Sequence, residues 1–242
     1  MTLRTITPKQ PMTGDPQIPP LEPGDHLTRD EFERRYDATP GIKKAELIEG
    51  VVYMAPPAVR WDYHGSPHAD LITWLGHYKM DTAGVRLADN SSVRLDLDNE
   101  PQPDASMVID PALGGQTRFS DDDILEGAPE LAGEVSASSV SIDMNSKLRV
   151  YRRNGVREYL VWRVKDRQID WFSLKQGQYE PLQQADGIIR SEVFPGLWLD
   201  PIALINADSS TLMRVLNQGL DSPEHTAFVV QLKSRAAGPS AP

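Results

Sequence analysis

The feature that most constrains this chain is an apolar strand that contains one acid and runs into a helix. The segment LAGEVSA, residues 131–137, is typical of a strand buried on both faces, and Glu134 is its single charged residue. Over residues 142–153, apolar and polar side chains then alternate at helical spacing. Asp143 and Lys147 are four residues apart and therefore share one face of that helix. If the helix packs on the strand, Lys147 can reach the same site as Glu134.

Three helix starts are predicted from residues that commonly cap helices. Thr28 and Glu31 have the spacing of a capping box. Ser66 stands directly before Pro67, a residue that favours the first helical position. Ser141 precedes the helix that carries Lys147. We therefore expect helices that begin directly after Thr28, Ser66 and Ser141.

Strand patterns occur on both sides of the central helix. Apolar and β-branched residues around Glu49-Gly50 predict two strands joined by a tight turn. QPDASMVID predicts a short apolar strand, and REYLVWRV, QIDWFSL and QYEPLQQ predict an antiparallel meander. Helices mixed with parallel-looking and meandering strands favour an α/β or α+β fold, with one mixed sheet flanked by helices.

The chain is expected to contain one folded domain with appendages. Its length of 242 residues favours a single core. Residues 1–26 are rich in Pro, Thr and Gln without periodicity, which predicts a disordered or extended N-terminal arm. Residues 27–205 are expected to form the domain, and residues 206–242 a helical extension with a Gly-Pro-Ser tail.

Composition and charge restrict the classes of function. The chain has no cysteine, which excludes disulfides and cysteine-ligated zinc sites. The formal net charge of −10 means that any contact with DNA must be local, metal-assisted or made by an oligomer. The sequence contains neither a Gly-rich phosphate loop nor a Gly-x-Ser-x-Gly nucleophile motif. Because no signal-like or membrane-spanning apolar segment occurs, we expect a cytoplasmic protein without membrane contact.

Three acids stand in apolar strand patterns and are candidates for a common site. They are Glu46 in KAELIEG, Asp104 in PQPDASMVID and Glu134 in LAGEVSA. Burying a carboxylate is costly unless a cation or hydrogen bonds compensate, and converging carboxylates favour Mg²⁺ or Mn²⁺. Each acid alone also has a structural explanation: an edge position for Glu46, a turn for Asp104, an ion pair for Glu134. The three together with Lys147 favour a functional site.

The order of several motifs resembles the Uma2 family, a bacterial group assigned as endonucleases. The motifs are ELIEG, MAPP, QPDASMVI, PELAGEVSASS and NGVREYLVW, and the similarity runs from about Thr28 to Pro201. The fold of that family resembles the restriction-endonuclease-like core of the PD-(D/E)XK nucleases. The resemblance implies that Asp104 and Glu134 bind the metal and that Glu46 is an additional acid from the preceding hairpin.

One position departs from the wider superfamily pattern. The lysine expected two residues after the glutamate is replaced by Ser136. The resemblance makes Lys147, on the neighbouring helix, the candidate for the catalytic lysine. Tyr151 and Tyr159 could line the site, but packing in the core is the simpler expectation.

Two histidines lie four residues apart ahead of the acids. His64 and His68 could approach the site, and His68 near a predicted helix start is expected to be a surface or capping residue. Without a third nitrogen or thiolate ligand, a zinc site is not expected.

The residues and the resemblance together predict a Mg²⁺- or Mn²⁺-dependent endonuclease that hydrolyses DNA phosphodiester bonds. A homodimer is expected by analogy with nucleases of this fold that cut duplex DNA. The alternative is a catalytically silent module that keeps the fold and binds a partner or nucleic acid. Ser136 and the acidic charge favour that alternative, and the sequence does not separate DNA from RNA as substrate.

Overall fold

The computed structural model describes residues 18–56 and 58–236 of the chain. Within these residues lie six α-helices and fourteen strands. The helices α1–α6 are Arg29–Ala38, Ser66–Asp81, Leu148–Asn154, Pro201–Ile205, Ser209–Leu220 and Pro223–Ala236. The strands β1–β7 are Ala45–Ile48, Val51–Met54, Val85–Ala88, Val93–Arg94, Ala105–Ile109, Arg118–Phe119 and Leu125–Glu126. The strands β8–β14 are Leu131–Ser136, Glu158–Arg163, Gln168–Lys175, Gln178–Pro181, Gln184–Ala185, Ile188–Arg190 and Trp198–Leu199.

A six-stranded sheet with the order β11-β10-β9-β8-β5-β3 forms the centre of the molecule. Strands β8 and β9 are parallel, and the other neighbours in this sheet are antiparallel. A parallel pair requires a crossover connection, and the helical segment that ends in α3 supplies it. The predicted mixed sheet flanked by helices is therefore confirmed.

Period-two alternation along β8 directs its side chains into two different apolar cores. Leu131 and Val135 belong to the larger core, which β8 shares with Trp74 and other residues of α2. Ala132 belongs to a smaller core with Tyr151 of α3. The sheet thus has α2 on one face and α3 on the other, and every residue of β8 is buried, as predicted.

The two C-terminal helices pack on the same core as α2. Leu212 and Leu216 of α5 and Phe228 and Leu232 of α6 are buried in the cluster that contains Trp74. The boundary predicted between the domain, residues 27–205, and the C-terminal extension, residues 206–242, stays a prediction. The buried side chains of α5 and α6 nevertheless belong to the main core of the domain. No helix within the described residues combines the length and the apolarity that crossing a bilayer requires.

The predicted N-terminal arm lies mostly outside the described residues, which begin at residue 18. The described part of this arm packs against the antiparallel hairpin formed by β1 and β2. Leu21 is buried, the backbone N–H of Gly24 donates to the carbonyl of Val52 at 2.8 Å, and His26 forms a bridge with Val51.

The helix starts differ from the predicted capping pattern in three places. Helix α1 begins after Thr28 as predicted, but the Thr28 side chain makes no capping hydrogen bond, and Glu31 instead binds arginines of the next turn. A π-helical turn over Trp61–Gly65 precedes α2, so Ser66 continues a helix that has already begun. A second π-helical segment precedes α3, and Ser141 has helical dihedral angles there without a capping bond. The caps at Ser66 and Ser141 were predicted wrongly because π-helical turns leave no sequence pattern of their own, and the cap at Thr28 because Glu31 pairs with arginines instead.

Candidate active site

Strands β5 and β8 bring two of the predicted acids to neighbouring positions. Asp104 directly precedes β5, and the antiparallel register that pairs Ala105 with Gly133 places it opposite Glu134. Both side chains are buried. The carboxylate Oδ2 of Asp104 accepts the backbone N–H of Val135 at 2.8 Å, which fixes its orientation across the strand pair.

The ammonium group of Lys147 joins two of the predicted acids, Glu46 and Glu134. Its Nζ lies 2.7 Å from Oε1 of Glu46, 2.9 Å from Oε1 of Glu134 and 3.7 Å from Oδ1 of Asp143. Glu46 reaches this point from β1, and its Oε1 also accepts the backbone N–H of Gln102 at 2.8 Å. The structure therefore brings together all four predicted site residues, and the shared helix face of Asp143 and Lys147 is present.

Burial and neighbouring charges together set the ionisation of this cluster. Burial, reinforced by three neighbouring carboxylates, raises the pKa of Glu134 to about 8 although Lys147 lies beside it. Burial alone would lower the pKa of the Lys147 ammonium, but the surrounding carboxylates raise it well above its ordinary value. Burial would also raise the pKa of Asp104, yet Lys44 and His64 hold it below its ordinary value. The carboxylates around Lys147 therefore favour its charged, ammonium form.

The smaller core orients Glu134 and Asp143 through hydroxyl groups. The Tyr151 hydroxyl donates to Oε1 of Glu134 at 3.0 Å, and the Tyr159 hydroxyl donates to the backbone carbonyl of Asp143 at 3.1 Å. The two tyrosine rings pack with their centroids 4.8 Å apart. Ser136 donates its hydroxyl to Oδ2 of Asp143 at 2.7 Å. The tyrosines pack as expected and also fix the acids, and Ser136 ties the helix to the strand.

Lys44 is a second lysine at the site, which the sequence analysis missed. Its Nζ lies 2.9 Å from Oδ1 of Asp104 and 2.9 Å from Oδ1 of Asn90. The signal for it was present in the sequence: Lys44 directly precedes the strand and is two residues from Glu46, a spacing that places both side chains on the same face of an extended chain.

The two histidines lie at the site rather than on the open surface, so the expectation for His68 was wrong. His64 Nδ1 is 3.0 Å from the carbonyl of Val135, and its Nε2 is 3.8 Å from Oδ1 of Asp104. His68 Nε2 is 2.9 Å from the backbone carbonyl of Asp104 and 3.1 Å from Oδ1 of Asp89. Their rings stack with centroids 5.5 Å apart. The four-residue spacing that places them on one helical face was the available signal.

The carboxylates match a divalent cation in chemistry but are neutralised by lysines. Among the described residues, no three His, Asp or Glu side chains form a group that could hold a metal ion as they stand. The ammonium groups of Lys147 and Lys44 contact the carboxylates of Glu134 and Asp104 directly. Oδ1 of Asp143 is buried and has no hydrogen-bond partner. Oxygen ligands of this kind suit Mg²⁺ or Mn²⁺, so a cation and the two lysines would compete for the same oxygens.

A mixed sheet with helices on both faces, with acids and a lysine converging beside its central strands, defines a restriction-endonuclease-like protein. The Uma2 family, described as "Putative restriction endonuclease", matches residues 29–203. The chain therefore belongs to the Uma2 family, which supports nuclease function in general.

One solved structure with the same fold is a putative nuclease belonging to DUF820 from Anabaena variabilis. It is 15% identical in sequence with a TM-score of 0.54, and the similarity covers 74% of this chain and 99% of that one. Identity at this level shows the fold alone. No curated protein matches the chain.

Proposed function

We propose that the protein is a divalent-metal-dependent endonuclease that hydrolyses phosphodiester bonds in DNA. The observation that carries this proposal is the contact of the Lys147 ammonium with Glu134, on the strand position opposite Asp104. Two acids that can hold a divalent cation and a lysine that can stabilise negative charge are groups able to catalyse phosphodiester hydrolysis. The family to which the chain belongs supports the same reaction class.

Asp104 and Glu134 would hold Mg²⁺ or Mn²⁺, with Glu46 as an outer acid. Bound there, the cation supplies Lewis-acid chemistry that neutralises charge on the scissile phosphate and acidifies water. The residues fit this task because they provide oxygen ligands on two neighbouring strands.

Lys147 is the group that would stabilise negative charge during the reaction. Its raised pKa keeps it protonated, so it can donate hydrogen bonds to a phosphate oxygen or to the attacking water. Glu46, 2.7 Å from Lys147, orients the ammonium and is placed to accept a proton.

Lys44 and His64 would keep the carboxylate of Asp104 ionised. Together they hold the pKa of Asp104 below its ordinary value, against the effect of burial, so that the carboxylate stays ionised for a cation. His68 fixes the backbone at the same point through the carbonyl of Asp104.

DNA is proposed as the substrate and a homodimer as the active assembly. A net charge of −10 requires phosphate contacts to be local. Two copies related by a two-fold axis would present two sites to the two strands of a duplex. Sedimentation with and without duplex DNA measures this directly, and a monomer under both conditions would contradict the dimer.

The alternative proposal is a silent module with the nuclease fold. The contacts of Lys147 and Lys44 favour it, because both ammonium groups neutralise the acids without any bound cation. Such a module would need neither Mg²⁺ nor Mn²⁺ to be stable.

The deciding experiment is cleavage of plasmid and single-stranded DNA with Mg²⁺, Mn²⁺ or EDTA. The nuclease proposal expects metal-dependent cleavage by the wild type and its loss in Glu134→Gln and Lys147→Met. Glu180→Gln and Lys233→Met, which change exposed residues of the same types, are the matched controls. Cleavage that persists in Glu134→Gln would contradict the assignment of Glu134 to the active site. Absence of cleavage together with no metal-induced change in melting temperature would support the silent module.

A further inference from the structure

Two aromatic side chains stand exposed in the π-helical turn that precedes α2. Trp61 is 80% exposed and Tyr63 is 51% exposed, and Val59 beside them is 69% exposed. By contrast, Trp74 and Trp171 are buried in the core. Several large, exposed apolar side chains in one short segment commonly mark an interaction site, so this turn requires an explanation.

The exposed turn borders the candidate active site. His64 belongs to the same turn, with its Nδ1 3.0 Å from the carbonyl of Val135 and its Nε2 3.8 Å from Oδ1 of Asp104. Tyr63 is the direct neighbour of that histidine in the chain. A π-helical turn is a rare backbone form that occurs frequently at functional sites. The aromatic residues therefore belong to the same helical turn as His64, the residue of that turn that approaches the acid Asp104.

Positive charge accompanies the aromatic rings, although the chain as a whole is acidic. Lys165 Nζ lies 5.5 Å from the centroid of the Tyr63 ring. Arg60, exposed, directly precedes Trp61, and in the described part of the chain neither Arg60 nor Lys165 pairs with a carboxylate. Asp62 is the acid within the turn and is also exposed. Two unpaired cations beside two exposed rings match the composition of a surface that binds a nucleic-acid strand.

We propose that Trp61 and Tyr63 form a stacking platform that binds unpaired nucleotides beside the acids, with Arg60 and Lys165 contacting phosphates. This inference rests on the proposed nuclease function. An aromatic ring stacks on a base only where the face of that base is free, which is the case in single strands, flaps and opened duplexes. The platform therefore favours a substrate with unpaired nucleotides next to the bond that is cut.

The test is binding of a fluorescently labelled oligothymidylate and of a duplex of equal length to the full chain in EDTA. Trp61→Ala is expected to weaken oligothymidylate binding roughly five- to hundredfold, the usual effect of losing one stacking contact. Tyr63→Ala should weaken it in the same direction. Met80→Ala is the control, because Met80 is 72% exposed and lies roughly 25 Å farther along the helix than Tyr63. Oligothymidylate should also quench the tryptophan fluorescence of the wild type and not that of Trp61→Ala.

Each remaining outcome overturns the platform. Equal affinity of Trp61→Ala and the wild type would do so, as would a wild type that binds no oligothymidylate. A changed sedimentation coefficient of Trp61→Ala without any change in binding would assign the turn to an interface between copies of the chain.

The cleavage assay separates this inference from the proposed function. A wild type that binds through Trp61 but cuts nothing with Mg²⁺ or Mn²⁺ would keep the platform and reject the nuclease. A wild type that cuts DNA, with normal binding by Trp61→Ala, would reject the platform alone.

Discussion

At the scale of single residues, Lys147 is the group on which the buried acids depend. Its ammonium contacts Glu46 and Glu134 and lies 3.7 Å from Asp143. Removing one partner of a buried ion pair leaves an uncompensated charge, which costs far more than the pair itself contributes.

Lys147→Met is therefore expected to lower the free energy of unfolding by about 3–5 kcal/mol. Urea denaturation followed by circular dichroism measures this change, with Lys233→Met on the exposed surface of α6 as the control. A loss below about 1 kcal/mol, the range of surface ion pairs, would show that the acids are neutral without the lysine.

Glu100 is a buried acid outside the site that makes stability depend on pH. Burial, together with the hydrogen bond that it shares with Glu33, raises the pKa of Glu100 to about 8. In the unfolded chain the same group has an ordinary pKa of about 4.3. Between these values the folded state holds a proton that the unfolded state has lost, so stability falls as the pH rises through this window.

We expect Glu100→Gln to reduce this fall, to which Glu100 alone contributes roughly 3–4 kcal/mol between pH 5 and pH 8. Urea unfolding at pH 5, 6.5 and 8 measures it. Glu134 and Glu158, whose pKa values are also raised, act in the same direction, so the difference between variant and wild type is the relevant quantity. Parallel pH curves for the two proteins would show that Glu100 is already ionised at pH 5.

At the scale of elements, α5 packs against the segment before β14 through two glycines. A Cβ added to Gly219 would lie 2.2 Å from the backbone oxygen of Gly196 and 2.8 Å from the ring of Trp198. Backbone atoms cannot turn away as a flexible side chain can, so any larger residue must separate the helix from the strand segment.

Gly219→Ala is expected to cost roughly 1–3 kcal/mol of stability, the range for overpacking. Gln218→Ala, an exposed neighbour on the same helix, is the control. Thermal melting of both variants provides the comparison, and a Gly219→Ala protein as stable as Gln218→Ala would mean that α5 can shift freely.

The first hairpin is an element that the site needs although it lies outside the central sheet. Strand β1 carries Glu46, and Lys44 directly precedes the strand. The turn residue Glu49 pairs with Arg149 of α3, with Oε2 and Nη2 2.9 Å apart. This ion pair connects the hairpin to the helical segment that carries Lys147. It thereby keeps Glu46 of the hairpin close to Lys147.

At the scale of the whole molecule, the C-terminal helices complete the main core. Leu212, Leu216, Phe228 and Leu232 are buried in one cluster with residues of α2. Removing α5 and α6 would expose the apolar face of α2 to water, at about 25 cal/mol per Å² of apolar surface.

A chain that ends at Asn206 is accordingly expected to lose cooperative thermal unfolding, measured by calorimetry and near-UV circular dichroism. The control is a chain that ends at residue 236, the last described residue. Cooperative melting of the shorter chain would instead support residues 206–242 as a separate extension.

Local patterns predicted much of this molecule because they depend on residues close in the chain. The alternation along β8 and the four-residue spacing of Asp143 and Lys147 were sufficient to predict a buried strand and a shared helix face. The meander of β9, β10 and β11 followed from the short polar links between apolar segments.

The contacts that could not be predicted join distant parts of the chain. Lys44 meets Asp104 across 60 positions and His64 meets Val135 across 71, through packing of separate elements that no spacing rule encodes. The capping residues were misjudged because each of two helices begins with a π-helical turn, and the hydroxyl-bearing residues there adopt helical dihedral angles.

The position of Lys147 also has a consequence for which residues vary together among related sequences. Ser136 occupies the strand position where the resemblance to the wider superfamily predicts lysine, and its hydroxyl binds Asp143. The ammonium group reaches the same glutamate from 13 residues away. A lysine at position 136 would add another ammonium group to a site that already holds Lys147 and Lys44, whereas loss of Lys147 alone would leave Glu46 and Glu134 without their cationic partner. Among descendants of a common ancestor, we therefore expect lysine at one position to coincide with its absence from the other.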